Sequence, residues 1–96
     1  MKAYWIAHVD VADAEQYTQY TSRAPAAFAK YGGRFLARGG RSVAMEGGPA
    51  RARNVVIEFD SYEQAVACYE SEEYQDAKAH REGVAQAQII IVEGVV

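Results

Sequence analysis

What the chain does without narrows it first. Its single cysteine, Cys68, rules out an intrachain disulfide and leaves no thiolate cluster to hold a metal within one chain. Its two histidines, His8 and His80, fall on different expected elements without metal-ligand spacing, so neither a metal nor a cofactor is expected. No apolar run approaches the roughly 20 residues of a membrane span, and the N-terminus has no charged-then-apolar leader pattern. A soluble, cytoplasmic protein is the expectation. Basic excess is missing too: 10 Lys and Arg against 13 Asp and Glu leave a net charge of −3, the wrong sign for a generic nucleic-acid binder. Gly39-Gly40-Arg41-Ser42 lacks the spacing, the lysine and the following helix of a phosphate loop. With no linker, repeat or low-complexity tract, residues 1–96 read as a single domain.

What is present is apolar and aromatic. Half of the residues are hydrophobic, and seven of these are tyrosines, amphipathic side chains that serve cores, interfaces and ligand clefts alike. A domain this small leaves much apolar surface uncovered when alone, which favours an oligomer. Charge is unevenly spread. Residues 34–53 hold Arg34, Arg38, Arg41, Arg51 and Arg53 against Glu46, a segment of +4 that leaves −7 elsewhere in a chain of net −3. Residues 61–82 hold Glu63, Glu70, Glu72, Glu73, Asp76 and Glu82 against Lys78 and Arg81, net −4. The basic arm has three readings: an anion clamp, a charged edge that discourages strand aggregation, and an arm laid over the acidic helix of a partner subunit. The last is preferred.

Ala3–Val11 alternates around Trp5, Ala7 and Val9 and predicts the central strand. Asp13-x-x-Gln16 has the spacing of a helix N-cap and its reciprocal partner, and Tyr17, Tyr20, Ala24, Ala27, Phe28 and Tyr31 then recur at helical steps. Pro25 inside this stretch removes a backbone donor and predicts a bend near Arg23–Pro25, and Gly32-Gly33 ends the helix. Arg34–Arg38 reads as a second strand, Gly39-Gly40 as a bulge or bend in it, and Ser42–Glu46 as its extended continuation. Gly47-Gly48-Pro49 turns into Asn54–Phe59, the strongest β-run. Ser61-x-x-Gln64 opens a second helix with the stripe Ala65, Val66, Cys68 and Tyr69, which makes Cys68 a small core residue. Ser71 restarts that helix, Gly83 stops it, and Gln88–Glu93 is the closing strand.

This order buries itself most simply as an α+β, ferredoxin-like βαββαβ sandwich, a four-stranded antiparallel sheet with two helices on one face. The first strand then lies between the third and the fourth. The opposite face needs a cover, and a second copy of the chain is the economical one.

Several runs carry a resemblance across essentially the whole chain. They are Tyr4-Trp5-Ile6 with His8-Val9, the run Phe28 to Gly40, Val56-Ile57-Glu58-Phe59 into Ser61-Tyr62-Glu63, Tyr69 with Ser71-x-Glu73-Tyr74-Gln75, and Ile91-Val92-Glu93-Gly94. Together they resemble the domain-of-unknown-function 1330 family. The resemblance implies the dimeric α+β barrel superfamily, in which two ferredoxin-like protomers pack sheet against sheet. That superfamily includes cofactor-independent monooxygenases, haem-degrading enzymes and muconolactone isomerase. The family itself brings no assigned activity and no catalytic motif.

A two-residue period divides the sheet into two faces. Trp5, Ala7 and Val9 align with Phe35 and Ala37, Val55, Ile57 and Phe59, and Ile90 and Val92 on an apolar face. Tyr4, Ile6 and His8 align with Leu36 and Arg38, Val56 and Glu58, and Ile89, Ile91 and Glu93 on a mixed face. There His8 beside Glu58 is the candidate proton acceptor or donor, Glu58 its orienter and Arg38 an anion clamp, with Tyr4 and Glu93 as ligand contacts. The same histidine and glutamate more often serve as a polar pair that fixes register or a dimer interface. Tyr17, Tyr20 and Tyr69, between helices and sheet, offer a second location, a cleft for a planar ligand. Three classes therefore stand: a cofactor-independent oxygenase or isomerase, a non-catalytic binder of a small organic ligand, and a structural or regulatory dimer. A small-ligand protein, enzyme or binder undecided, ranks above the purely structural role.

Overall fold

Alternation decides the first strand. β1 (Ala3–Val11) buries Ala3, Trp5, Ala7 and Val9 while Tyr4, Ile6 and His8, one step out of phase, stay half-buried. The computed structural model describes residues 1–96, and β1 sits inside its sheet as expected. β2 (Arg34–Arg38), β3 (Arg53–Phe59) and β4 (Ala85–Glu93) complete the order β2-β3-β1-β4, antiparallel at every pairing. The architecture is ferredoxin-like.

Each of the two expected helices is a pair of shorter ones. α1 (Ala14–Thr21) begins at Asp13, whose carboxylate accepts from the Gln16 N–H at 3.0 Å. The bend expected near Pro25 is a full break: α2 (Ala24–Lys30) restarts with Pro25 in its first turn, where a helix has no use for its missing N–H. α3 (Tyr62–Glu70) starts at Ser61, and α4 (Glu72–Ala79) at Ser71, whose hydroxyl accepts from the Tyr74 N–H at 3.1 Å. Each cap answers backbone donors that a new helix leaves open.

The chain departs from its sequence pattern in three places. Ser42–Glu46 is not a strand continuation: residues 39–52 carry no strand. Gly39, Gly47 and Gly48 have φ of 69°, 90° and 85°, which turns the backbone out of the extended region at both ends of this stretch. In β4, Ile89 and Ile91 stand opposite Ala7 and Trp5, so they, and not Ile90 and Val92, face the helices. In β2 the register shifts between Phe35 and Ala37. Phe35 pairs with Ile57 on the helix side, Ala37 with Val56 on the outer side, and Arg38 with Val55 on the helix side again.

The core is the layer between sheet and helices. Trp5, Ile57, Phe59, Cys68 and Tyr74 are its largest fully buried side chains. The molecule is 34 × 33 × 17 Å, and 17 Å accommodates one sheet and one layer of helices. The outer sheet face is therefore uncovered in the protomer, with Ile90 48 % and Val92 45 % exposed.

Gly33 lies where α2 hands over to β2, and a Cβ there would stand 2.9 Å from Phe59 Cζ and 3.1 Å from Ile57 Cγ2, both in the sealed core. Gly33→Ala should destabilise by about 1–3 kcal/mol through overpacking, read as a lower urea midpoint at unchanged slope. Gly40→Ala, with nothing within 4 Å of its added Cβ, should leave the midpoint within about 0.5 kcal/mol.

Candidate functional site

A narrow cleft opens between the helix face of the sheet and α1, α2 and the residues after α4. Trp5, Ala7 and Val9 from β1 and Val55 and Ile57 from β3 contribute apolar walls, with Tyr17, Tyr20 and Phe28 from the helices opposite. It encloses about 470 Å³ of atom-free space including its mouth, of which about 40 Å³ is wide enough for the centre of a water-sized sphere. Such proportions describe a slot.

Three arginines border it: Arg38, Arg53 and Arg81. The bulge in β2 brings Arg38 to this side, where its guanidinium lies 4.2 Å from the centre of the Phe35 ring. Arg53 occupies the same phase of β3 as Val55 and Ile57, and its Nε is buried without a hydrogen-bond partner. Gly39 makes room for it, since a Cβ at that position would collide with the Arg53 guanidinium. Arg81 is 8 % exposed, lies 5.3 Å from the centre of the Tyr20 ring, and donates to the Tyr74 hydroxyl at 3.4 Å. The Tyr20 and Tyr74 hydroxyls are 2.9 Å apart. A phenol oxygen has two lone pairs, so the Tyr74 oxygen can accept from Arg81 and from the Tyr20 O–H together, a direction that holds the Tyr20 proton in place. None of the three arginines is in an ion pair, and no Asp, Glu or His borders the slot.

Burial pushes the Tyr17 phenol above its ordinary pKa, against the pull of the Arg53 and Arg81 charges. Burial, reinforced by the Tyr74 hydroxyl, pushes Tyr20 up further. Cys68, sealed in the core, is pushed up to about 12 by burial and has no nucleophilic thiolate to offer near neutral pH. No three His, Cys, Asp or Glu side chains group to hold a metal ion.

The site residues expected from sequence are divided by this geometry. Tyr17 and Tyr20 line the slot, and Tyr69 borders an adjoining hollow with Lys78 and Arg81. Arg38 lines the slot instead of the mixed face on which it was expected. His8 does not meet Glu58: its strand partner is Asn54, and its Nδ1 lies 2.6 Å from Asn54 Oδ1. Glu58 stands opposite Tyr4, four residues along β1 from His8, roughly 13 Å at strand spacing. There it accepts from the Tyr4 hydroxyl at 3.2 Å and from Arg34 Nη2 at 2.8 Å, and the hydrogen bond from Arg34 holds its carboxyl below the usual range. Glu93 pairs with Ala3, one step out of phase with His8, and is exposed. The basic arm also turns back on its own chain: Arg51 donates to the Gln86 carbonyl at 2.8 Å and approaches Asp10 at 3.9 Å.

Fold and cleft together define a ferredoxin-like α+β domain with a slot between its sheet and its helices. The family model described as "Domain of unknown function (DUF1330)" matches residues 2–95, and the chain belongs to that family. Among curated proteins none matches the sequence. Its fold is similar to that of a protein of unknown function from Rhodopseudomonas palustris, at TM-score 0.78 and 16 % identity, covering 99 % of this chain and 83 % of that one. It is also similar to SnoaB, a cofactor-independent oxygenase from Streptomyces nogalater, at TM-score 0.69 and 9 % identity, over 99 % and 94 % of the two chains. A third similar structure is a dimeric protein of unknown function and ferredoxin-like fold from Bacteroides fragilis, at TM-score 0.58 and 14 % identity, over 97 % and 96 %.

The raised phenols give a pH dependence of stability. Unfolded tyrosine ionises near pH ~10, whereas Tyr17 and Tyr20 keep their protons beyond it. Their contribution is full below pH ~10 and is lost as the pH rises from there through their folded values, because the unfolded chain releases protons first. The urea midpoint should fall steeply above pH ~10 in the native protein. It should fall less steeply in Tyr20→Phe.

Proposed function

We propose that this protein binds a small planar organic ligand in the slot between sheet and helices. One observation carries the reading: an aromatic and aliphatic slot walled by Trp5 and bordered by polar groups only at Tyr17, Tyr20, Thr21 and the arginines. Apolar walls with a few convergent polar groups are what small-molecule sites consist of. As a reaction class, a cofactor-independent oxygenase or isomerase fits a site whose ionisable groups are arginines and phenols. The similarity in fold to SnoaB supports the class without naming a substrate. In this reading Tyr17 and Tyr20 contact the ligand, and Arg38 is its anion clamp. His8, Glu58 and Tyr4 belong to the outer face and act in structure.

The outer face favours a second role beside the first, a homodimer packed sheet against sheet. Ile6 and Val56, with the exposed Ile90 and Val92, form an apolar centre flanked by the His8–Asn54 pair and the Tyr4–Glu58–Arg34 network. Burying such a face against its own copy is the simplest closure.

Both parts are measurable on the purified protein. Native mass spectrometry should give a dimer, and Ile90→Arg should shift it to monomer by placing two charges in the contact. Trp5 is the only tryptophan, so a slot-filling compound such as 4-nitroanisole should quench its fluorescence saturably. Saturable quenching lost in Ala24→Leu, which fills the slot and leaves Trp5 the sole fluorophore of its kind, supports the ligand role. A dimer whose fluorescence no planar compound alters leaves the structural role in its place.

A further inference from the structure

The slot concentrates positive charge to a degree that its surroundings do not explain. In a chain of net −3, Arg38, Arg53 and Arg81 border one narrow space into which no carboxylate reaches. A buried guanidinium normally has an anion beside it, because desolvating a cation without one is expensive. Arg81 is 8 % exposed and has only phenol hydroxyls and a ring face as neighbours of opposite polarity, while Arg53 keeps a buried Nε with no acceptor at all. Gly39 admits the Arg53 guanidinium to this position.

Resting on the ligand-slot reading, we propose that the slot takes the conjugate base of a planar acid, a phenolate or enolate oxygen conjugated to a ring, and holds it ionised through Arg38, Arg53 and Arg81. The flat body lies along Trp5 and Phe28, and the oxyanion replaces the missing carboxylate. Its proton leaves to solvent, since no Asp, Glu or His borders the slot to receive it and the Tyr17 and Tyr20 phenols are themselves protonated. The O–H bond breaks heterolytically, the electron pair stays on the ligand oxygen, and no oxidant or cofactor takes part in the step. The outcome is a ligand whose acidity rises on binding, the condition a carbanion-like ring needs before it can react with an electrophile.

4-Nitrophenol reports this directly, because only its phenolate absorbs in the visible. In buffer about one unit below the pKa of the free phenol, adding protein should generate the phenolate band saturably, with the bound pKa lowered by about one unit or more. Arg38→Gln and Arg53→Gln should each weaken phenolate binding about tenfold, the loss of one charge-assisted hydrogen bond. Both should leave the affinity for 4-nitroanisole, which fills the same space with no acidic proton, within about twofold of the native protein. If 4-nitroanisole quenches Trp5 but bound 4-nitrophenol keeps or raises its pKa, the charge assignment is wrong while the slot remains a ligand site. If neither compound binds, both fall. Variants that lose 4-nitroanisole as well as phenolate would overturn the assignment, since the arginines would then be holding the walls together.

Discussion

The burial of Trp5 organises everything else. Its indole meets Phe28 edge-on at 5.0 Å and Tyr74 at 4.9 Å, with Tyr69 at 5.7 Å and Phe59 at 6.2 Å, so one side chain of β1 touches α2, α3, α4 and β3. Aromatic contacts of this kind add about 0.5–1.5 kcal/mol each to the area they bury. Once Trp5 faces the helices, strand geometry sends Tyr4, Ile6 and His8 to the other face, and cross-strand pairing carries the same choice to β3 and β4. The slot exists because the ring cluster fills the middle of the layer and thins towards Ala7, Val9 and Ala24, where small side chains leave space.

Where the sequence has a phase, that choice could be read from it. Trp5-Ala7-Val9 and Val55-Ile57-Phe59 alternate with residues of another kind, and Asp13, Ser61 and Ser71 signal helix starts by chemistry that does not depend on tertiary contacts. Ile89-Ile90-Ile91-Val92 is uniformly apolar and has no phase. Its side is settled by Ala12, whose N–H donates to the Val84 carbonyl at 2.8 Å and pins the start of β4 to the end of β1. The bulge in β2 has no single-residue signature either, and one extra residue reverses every assignment beyond it. Arg38 changed faces for that reason alone.

The site was half legible. Tyr17 and Tyr20 follow from the helical stripe, but by charge alone Arg53 and Arg81 belong to a basic arm and an acidic helix, and charge alone does not place them. Position would have found them. Arg53 precedes Val55 by two residues and so shares the buried phase of β3; Arg81 follows Ala77 by four and Tyr74 by seven, on the buried stripe of α4 continued. A charged residue in phase with a core stripe is a stronger signal than a cluster of charges on a loop, since only the former must lose its water.

The same alternation that separates the faces also separates two tasks. On the outer face the polar groups satisfy one another: His8 with Asn54, Asn54 onward to Ser42 at 3.1 Å, and Glu58 with Tyr4 and Arg34. Paired groups of this sort set register and lower the cost of enclosure by a second protomer, because the hydrogen bonds they already make are carried into the contact intact. On the inner face polarity is left open, with Arg53 Nε buried and unpartnered and Arg81 without a carboxylate. Closed polarity on one side and open polarity on the other is what a sheet needs if one face is to associate and the other is to bind. His8, conspicuous in the sequence, lies on the closed side, and the chemistry of this fold lies one residue out of phase with it.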